Sequence, residues 1–237
     1  MLAAIFLNGS SRSIRGARSC VRSVLVWLAE ADVLGNRIVT THWGLEPHMA
    51  KHYPMVATDV NQILIEHADL ITAGGMMAWV DLCLALIDRF IGRDAVIETA
   101  HRFVVDVGQR DQRRYRRFTP NLTHGDPGVR KAQLAIERDF DGKYSIRDLA
   151  TVAGMSERTF IRRFSSITGL PPMAYVQAVR IEKSKDMLIH SNQIVQNIAF
   201  AAGYSDHSSF GRKFIQETGL TPTEFRNRFA LKSAGAG

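Results

Sequence analysis

Four side chains in the second half of the chain have types and a spacing suited to reading the edges of DNA bases. Arg158 and Arg162 lie four residues apart, and Ser208 and Arg212 repeat that spacing fifty residues later. Residues four apart share one face of a helix. The arginine guanidinium offers two parallel donors that fit the O6 and N7 acceptors of guanine. The two pairs therefore indicate two base-reading surfaces, provided that helices present them.

An internal repeat supplies the helices that must position these side chains. Residues 149–172 read LATVAGMSERTFIRRFSSITGLPP, and residues 198–222 read IAFAAGYSDHSSFGRKFIQETGLTP. Each copy predicts a short helix, a turn at Gly154 or Gly203, and a second helix that starts at a capping residue. That arrangement is a helix-turn-helix, the motif that places a recognition helix in a major groove.

Phenylalanines fix the rotation of the second helix in each copy. Phe160 and Phe164 lie four residues apart, as do Phe210 and Phe214, so each pair is predicted to be buried on one face. The polar side chains then point outward. A single basic face is usually a solvated surface, whereas two faces in the same register favour DNA contact. The predicted base-reading set is Arg158, Thr159, Arg162, His207, Ser208 and Arg212.

The charge of the chain is concentrated where these helices lie. The net charge is +7. Residues 130–237 hold 16 Lys and Arg against 10 Asp and Glu, whereas residues 1–129 hold 14 against 13. A basic excess of this kind is the electrostatic footprint that a phosphate backbone requires. Arg163, Lys183 and Lys213 are predicted to position phosphates without reading sequence.

The stretch from residue 129 to 229 carries motifs that are specific as a set. They are A-G-M-S-x-R-T-F-x-R-x-F, T-G-L-x-P-x-x-Y, I-A-x-x-x-G-Y-x-D, S-x-F-x-R-x-F and G-L-T-P-x-x-F-R. The stretch resembles the DNA-binding domain of AraC/XylS-type transcription regulators. The resemblance implies an all-α domain in which a long helix over 174–188 joins two helix-turn-helix units, with recognition helices over 156–166 and 206–216 in consecutive major grooves. Ile161 departs from the family, where a polar side chain is common, and suits a thymine methyl.

The first half of the chain alternates predicted helices and strands, which is typical of an α/β domain with a parallel sheet. Helices are predicted from residue 21 and over 47–52, 76–90 and 95–105, and strands over 37–41, 63–65 and 70–72.

Part of this half resembles the C-terminal half of a class I glutamine amidotransferase-like domain, which precedes the DNA-binding domain in one branch of these regulators. The carrying residues are LAEADVLGNRIVTTHW (28–43), Tyr53-Pro54 and LITAGGMMAWVDLCLALIDRFIG (70–92). The resemblance implies a partial flavodoxin-like fold. The first half of that domain has no counterpart, so we expect a truncated or mis-started version with an uncovered sheet edge or apolar face.

Catalysis by this half is a rival hypothesis, and the resemblance argues against it. In catalytic relatives a cysteine on a strand-to-helix turn is activated by a histidine in the T-T-H segment. His42 matches that histidine, but the nucleophile position falls on Arg22 and the elbow glycine on Val24, with Cys20 two residues away. An arginine cannot act as that nucleophile, so we predict no enzyme and no catalytic residue. His42 is interpreted as a structural histidine beside Trp43.

Two alternatives to a regulator stay open from the sequence. One is a thiol-dependent amidotransferase-like or hydrolase-like enzyme, and the other is a non-specific basic nucleic-acid-binding protein. The arginine-rich segment 109–118 is either a solvated connector, which we favour, or an arm on DNA or RNA. His48 and His52 share a helix face without supporting ligands, so no metal and no cofactor is predicted. Cys83 is predicted to be a core residue of the apolar helix.

The predicted domain organisation follows from these segments. Residues 1–118 form a partial amidotransferase-like domain for sensing or dimerisation, 119–129 a turn-rich linker, 130–229 the DNA-binding domain and 230–237 a flexible tail. Only two cysteines, and no apolar run of membrane length, indicate a cytoplasmic protein without a membrane partner. The expected partner is double-stranded DNA. The resemblance leaves room for a homodimer, RNA polymerase and an unidentified small-molecule effector.

Overall fold

The computed structural model describes residues 4–6, 24–108 and 111–230 of the 237-residue chain. The chain divides into two compact units, residues 1–116 and 117–237. None of the described helices is long and apolar enough to cross a membrane. The predicted bounds of domains, linker and tail stay predictions, and the tail from residue 231 onward lies outside the described residues.

The N-terminal unit is built from short strands and helices. They are β1 (Ala4–Phe6), α1 (Val24–Glu30), α2 (Glu46–His52), β2 (Leu64–Glu66), β3 (Leu70–Ala73), α3 (Trp79–Phe90) and α4 (Arg93–Phe103). Single 3-10 turns lie at Trp43–Leu45, Met76–Ala78 and Arg113–Tyr115. The helices predicted over 47–52, 76–90 and 95–105 are confirmed, with ends that shift by up to three residues.

The three strands form an antiparallel sheet in the order β1-β3-β2. Residues 67–69 alone connect β2 to β3, and this length suits a hairpin, whereas parallel strands need a crossover of a dozen or more residues. The prediction of a parallel sheet is therefore wrong for the described strands, and a flavodoxin-like fold is not confirmed. The strand predicted over 37–41 reduces to one bridge between Val39 and Thr58.

Strand β3 is buried along its whole length. Leu70 packs into one apolar cluster with Leu25 and Met49, and Ile71 packs into another with Leu82 of α3. Cys83 is exposed, because Leu82 takes the inward position and the next residue is rotated by about 100° around the helix. The prediction that Cys83 is a core residue is therefore wrong.

Helices are the only regular secondary structure among the described residues of the C-terminal unit. Its helices are α5 (Pro127–Arg138), α6 (Ile146–Ala153), α7 (Glu157–Thr168), α8 (Pro172–His190), α9 (Val195–Ala201), α10 (His207–Thr218) and α11 (Pro222–Phe229). Two helix-turn-helix units, α6–α7 and α9–α10, flank the long helix α8, as predicted. The all-α class of this unit is confirmed.

Capping residues set the helix ends where the sequence predicts them. The Ser145 hydroxyl accepts the Asp148 N–H at 3.2 Å while the Asp148 carboxylate accepts the Ser145 N–H at 2.9 Å, which completes a capping box at the start of α6. Gly154 ends α6 in the left-handed conformation, with φ 67°. Because few residues other than glycine adopt this backbone without strain, the turn into α7 depends on it.

Two separate apolar cores stabilise the unit. Phe160 and Phe164 are fully buried in the first core, and Phe210 and Phe214 in the second. Helix α8 contributes to both cores, with Tyr175, Val176 and Val179 on the first side and Ile181 and Leu188 on the second. The predicted rotation of both recognition helices is therefore confirmed.

Candidate nucleic-acid interface

Each recognition helix begins at a side-chain cap. Ser156 accepts the Thr159 N–H at 3.4 Å at the start of α7, and Asp206 accepts the Ser209 N–H at 2.8 Å at the start of α10. The bond from the Ser209 N–H holds the pKa of Asp206 below its usual value, so the carboxylate is charged at neutral pH. A negative charge at a helix N-terminus is favourable because it lies beside the positive end of the helix dipole.

Three arginines of the predicted base-reading set are exposed on these helices. Arg158 and Arg162 lie on α7 and Arg212 lies on α10. Within the described part of the chain, none of the three guanidinium groups makes a hydrogen bond or an ion pair. Their donors are therefore available to a ligand without the loss of a hydrogen bond to a described residue.

The three other members of the set surround the beginnings of the helices. His207 and Ser208 are exposed in the first turn of α10. Thr159 is half-buried, and its hydroxyl accepts a hydrogen bond from Ser156 at 3.0 Å. Thr159 therefore has a part in the helix cap, three residues after Ser156, a role that was not predicted from the sequence.

The two helix faces carry different residues at equivalent positions. Ile161 is 41% exposed on α7, and the residue fifty positions later on α10 is Gly211. A methyl group built at Gly211 would have open space around it, so internal packing does not require a glycine there. Ile215, 44% exposed, supplies an apolar side chain one turn further along α10. The first face thus presents two arginines and a central isoleucine, whereas the second presents one arginine beside a glycine that has no side chain.

The predicted phosphate-contacting residues all have acidic partners, and the spacing in the sequence indicates only one of these partners. Arg163 lies 2.6 Å from Asp126, Lys183 lies 3.7 Å from Glu137, and Lys213 lies 2.7 Å from Glu217. A DNA phosphate would have to compete with these carboxylates. Only the Lys213 pair has the i,i+4 helical spacing that a sequence reveals directly.

The partner of Arg163 is a buried carboxylate. The Asp126 side chain is 6% exposed, and it caps α5 by accepting the Val129 N–H at 3.0 Å. That bond, together with the Arg163 guanidinium, holds the pKa of Asp126 below its usual value. The pair ties the start of α5 to the first recognition helix. The Asp-Pro sequence at 126–127 is an N-terminal helix signal that would have revealed the cap.

His42 of the N-terminal unit has the structural role that was predicted for it. Its Nδ1 atom accepts the Gly44 N–H at 3.0 Å, and its ring lies 5.0 Å from the Trp43 ring. Burial lowers the pKa of His42. Val24 begins α1, and Cys20 and Arg22 lie outside the described residues.

A buried glutamine that the sequence did not single out holds the segment around His42. The Gln112 side-chain amide donates to the carbonyl oxygens of Thr41 at 2.7 Å and Gln62 at 2.9 Å. Its oxygen accepts the Trp43 N–H at 3.0 Å. Gln112 belongs to the arginine-rich segment 109–118, whose composition indicated a solvated stretch.

Metal-ligating side chains do not cluster among the described residues. No group of three or more His, Cys, Asp or Glu side chains there could hold a metal ion. The rings of His48 and His52 lie 4.5 Å apart on α2, as their spacing predicts.

A family model described as a helix-turn-helix domain matches residues 149–228. The match begins in α6 and ends in α11, so it contains both recognition helices. Residues 149–228 therefore form a helix-turn-helix domain, in agreement with the fold of this unit.

Relatives of the chain are transcriptional regulators of the helix-turn-helix type. The chain is 24% identical over 202 residues to the regulator ArgR of Pseudomonas aeruginosa, covering 85% of this chain and 61% of ArgR. It is 24% identical over 214 residues to CdhR of the same organism, covering 89% of this chain and 63% of CdhR. The chain thus spans less than two thirds of the length of these relatives. Among solved structures, the DNA-binding domain of AdpA in complex with a target DNA is 24% identical, with a TM-score of 0.42, covering 43% of this chain and 92% of that chain.

Proposed function

We propose that this chain is a sequence-specific, DNA-binding transcription regulator of the AraC type. The observation that carries the proposal is the pair of capped helices in the same register, fifty residues apart, whose exposed arginines make no ion pair with any described residue. The helix-turn-helix match over residues 149–228 and the regulatory relatives support it.

In this proposal α7 and α10 enter adjacent segments of the major groove, about one helical turn or ~34 Å apart. Arg158, Arg162 and Arg212 donate to guanine edges, and Ile161 contacts a thymine methyl. His207 and Ser208 lie beside the second set of bases. Thr159 lies at the start of α7, where its hydroxyl bonds to the capping residue Ser156.

The N-terminal unit is proposed to provide dimerisation or effector sensing in the cytoplasm. Its proposed origin is an amidotransferase-like domain, on the resemblance carried by residues 28–43 and 70–92. The matches to ArgR and CdhR cover 85% and 89% of the chain and so extend into this unit. A homodimer, RNA polymerase and a small-molecule effector are its proposed partners. No catalytic role is assigned, because the nucleophile position of the resemblance falls on an arginine.

Competition between duplexes at increasing salt tests the proposal. The intact chain is first used to select bound duplexes from a random pool. The selected duplex is then competed against random duplex from about 50 to 200 mM salt, a range over which phosphate-driven binding weakens steeply. A regulator retains its preference for the selected duplex across this range. An unenriched pool, or binding that vanishes equally on both duplexes, would identify a non-specific basic binder instead.

A further inference from the structure

The two helix-turn-helix units are held on opposite sides of one helix. Helix α8 packs against α5 and α7 on the side of the first core and against α9, α10 and α11 on the side of the second. Because α8 contributes side chains to both cores, it is the common axis of the two helix-turn-helix units. Contacts that run from one unit to the other therefore limit how far the units can rotate relative to each other about α8.

Arg180, at the middle of α8, makes such a contact. Its Nε donates to the Phe140 carbonyl at 2.9 Å, and a terminal nitrogen donates to the Gly142 carbonyl at 2.8 Å. Both carbonyls belong to the loop between α5 and α6, on the first side. The same guanidinium carbon lies 5.8 Å from the centre of the Tyr204 ring, which belongs to the second core. One cation therefore joins both sides.

Tyr204 is held firmly in this position. It is 8% exposed, and its hydroxyl donates to the Gln177 side chain of α8 at 2.8 Å. Burial raises the pKa of Tyr204 to about 12, so the hydroxyl remains protonated and keeps donating at physiological pH. The ring face stays directed toward Arg180, an arrangement in which a cation is attracted to the aromatic quadrupole.

Gly203, next to Tyr204, brings the two sides into direct backbone contact. A Cβ atom added at Gly203 would lie 2.7 Å from the Asp141 Cα and 2.8 Å from the Asp141 carbonyl oxygen. Gly154 has the same place in the first repeat and a similar left-handed backbone, with φ 67° against 81°. A Cβ atom at Gly154 would meet nothing within 4 Å. The second turn thus needs glycine for a close approach as well as for its backbone conformation.

We propose that Arg180, together with Tyr204 and Gly203, sets the distance and rotation between the two recognition helices and thereby the half-site spacing that the chain accepts. The proposal rests on the proposed function. Arg180 is a positioning residue, because it acts through the loop at 140–142 and the Tyr204 ring rather than through contact with DNA. Removal of Arg180 should loosen the spacing requirement and leave the base preference within each half-site intact.

A spacing assay on the intact chain tests this inference. Half-sites defined by selection with the wild-type chain are placed in duplexes whose spacer is shortened or lengthened by one base pair, which changes their separation by about 3.4 Å and their rotation by about 35°. The affinity for each duplex is measured by fluorescence anisotropy. The penalty for a one-base-pair change is expected to be about tenfold smaller in Arg180→Ala than in the wild type.

Arg226→Ala is the matched control. Arg226 also donates to two backbone carbonyls, those of Leu188 at 3.3 Å and Gln193 at 2.5 Å, but both belong to the second side. Its loss is expected to leave the spacing penalty unchanged. An unchanged penalty in Arg180→Ala, or an equal reduction in Arg226→Ala, would overturn the inference. Should Arg180→Ala fail to fold, Arg180→Lys carries the same test, since lysine keeps the charge and lacks the guanidinium fork.

The two turn glycines provide a second comparison. Gly154→Ala and Gly203→Ala both place a side chain on a left-handed backbone, so both should lower the Tm. Only Gly203→Ala should shift the preferred spacing, because only it displaces Asp141. Equal spacing preferences in the two variants would contradict the inference. If the wild-type chain selects no motif, the proposed function itself fails, and this result is separate from any effect of Arg180 or Gly203.

Discussion

At the scale of single residues, the basic side chains of the recognition helices fall into two groups. Arg158, Arg162 and Arg212 are exposed and make no hydrogen bond or ion pair within the described residues, whereas Arg163 and Lys213 lie within 3 Å of carboxylates. The sequence predicts the outward direction of the first group, because buried phenylalanines fix the helix rotation. It does not reveal the Arg163 partner, since Asp126 is distant in sequence.

Loss of Arg163 should destabilise the fold more than loss of its neighbour. Arg163→Ala leaves the buried Asp126 carboxylate without its cation, and we expect a loss of about 1–2 kcal/mol, since the arginine itself is half-exposed. Arg162→Ala should change stability by less than about 0.5 kcal/mol, as is usual for exposed surface positions. Urea denaturation, followed through a spectroscopic signal of the C-terminal unit, measures the free energy of unfolding of both variants. Equal stabilities would show that the Asp126 pair contributes nothing.

Acidification should remove the same contribution. The pKa of Asp126 is lowered in the folded state, so the stabilisation is present above the unfolded-state pKa of about 3.9 and is lost as pH falls through the lower folded-state value. The stability difference between the wild type and Asp126→Asn should therefore be constant near pH 7 and shrink below about pH 4. A difference that grows on acidification would contradict this assignment.

At the scale of secondary-structure elements, local signals predict the helices well and the sheet poorly. The capping box at Ser145 and the glycine turn at Gly154 depend on nearest neighbours, so their sequence patterns suffice. The direction of strand pairing depends on the connection between β2 and β3, which periodicity does not encode. Gln112 is buried through contacts with residues about 50 to 70 positions away in the chain, and composition alone suggests that its segment is exposed.

Gly211 should weaken helix α10 without any packing benefit. An alanine there meets no neighbouring atom, and the backbone is helical, so Gly211→Ala should stabilise the chain by about 0.5–1 kcal/mol. Gly169→Ala is the control, because Gly169 also has open space but a φ of 74°, and it should be destabilising. Thermal melts of both variants measure the difference. A lower Tm for Gly211→Ala would mean that this glycine is needed for the fold.

At the scale of the whole molecule, the repeat determines how much the sequence reveals. Residues 130–229 contain two copies of a helix-turn-helix unit, and the pattern of each copy supports the interpretation of the other. The fold and the candidate interface of this part can therefore be predicted together. The N-terminal unit has no such internal check. Its helices were predicted, but its antiparallel sheet and the exposure of Cys83 were not, because both depend on long-range pairing and packing.

The central claim is that two recognition helices read two half-sites, and selection with single-arginine variants tests it most directly. The intact wild type, Arg158→Ala and Arg212→Ala each select duplexes from the same random pool, with Arg138→Ala as a control that removes one exposed arginine outside both recognition helices. We predict a wild-type motif of two half-sites about one helical turn apart. Arg158→Ala should lose preference in one half, Arg212→Ala in the other, and Arg138→Ala in neither. Uniform weakening by all three variants, without loss of any base preference, would contradict the account.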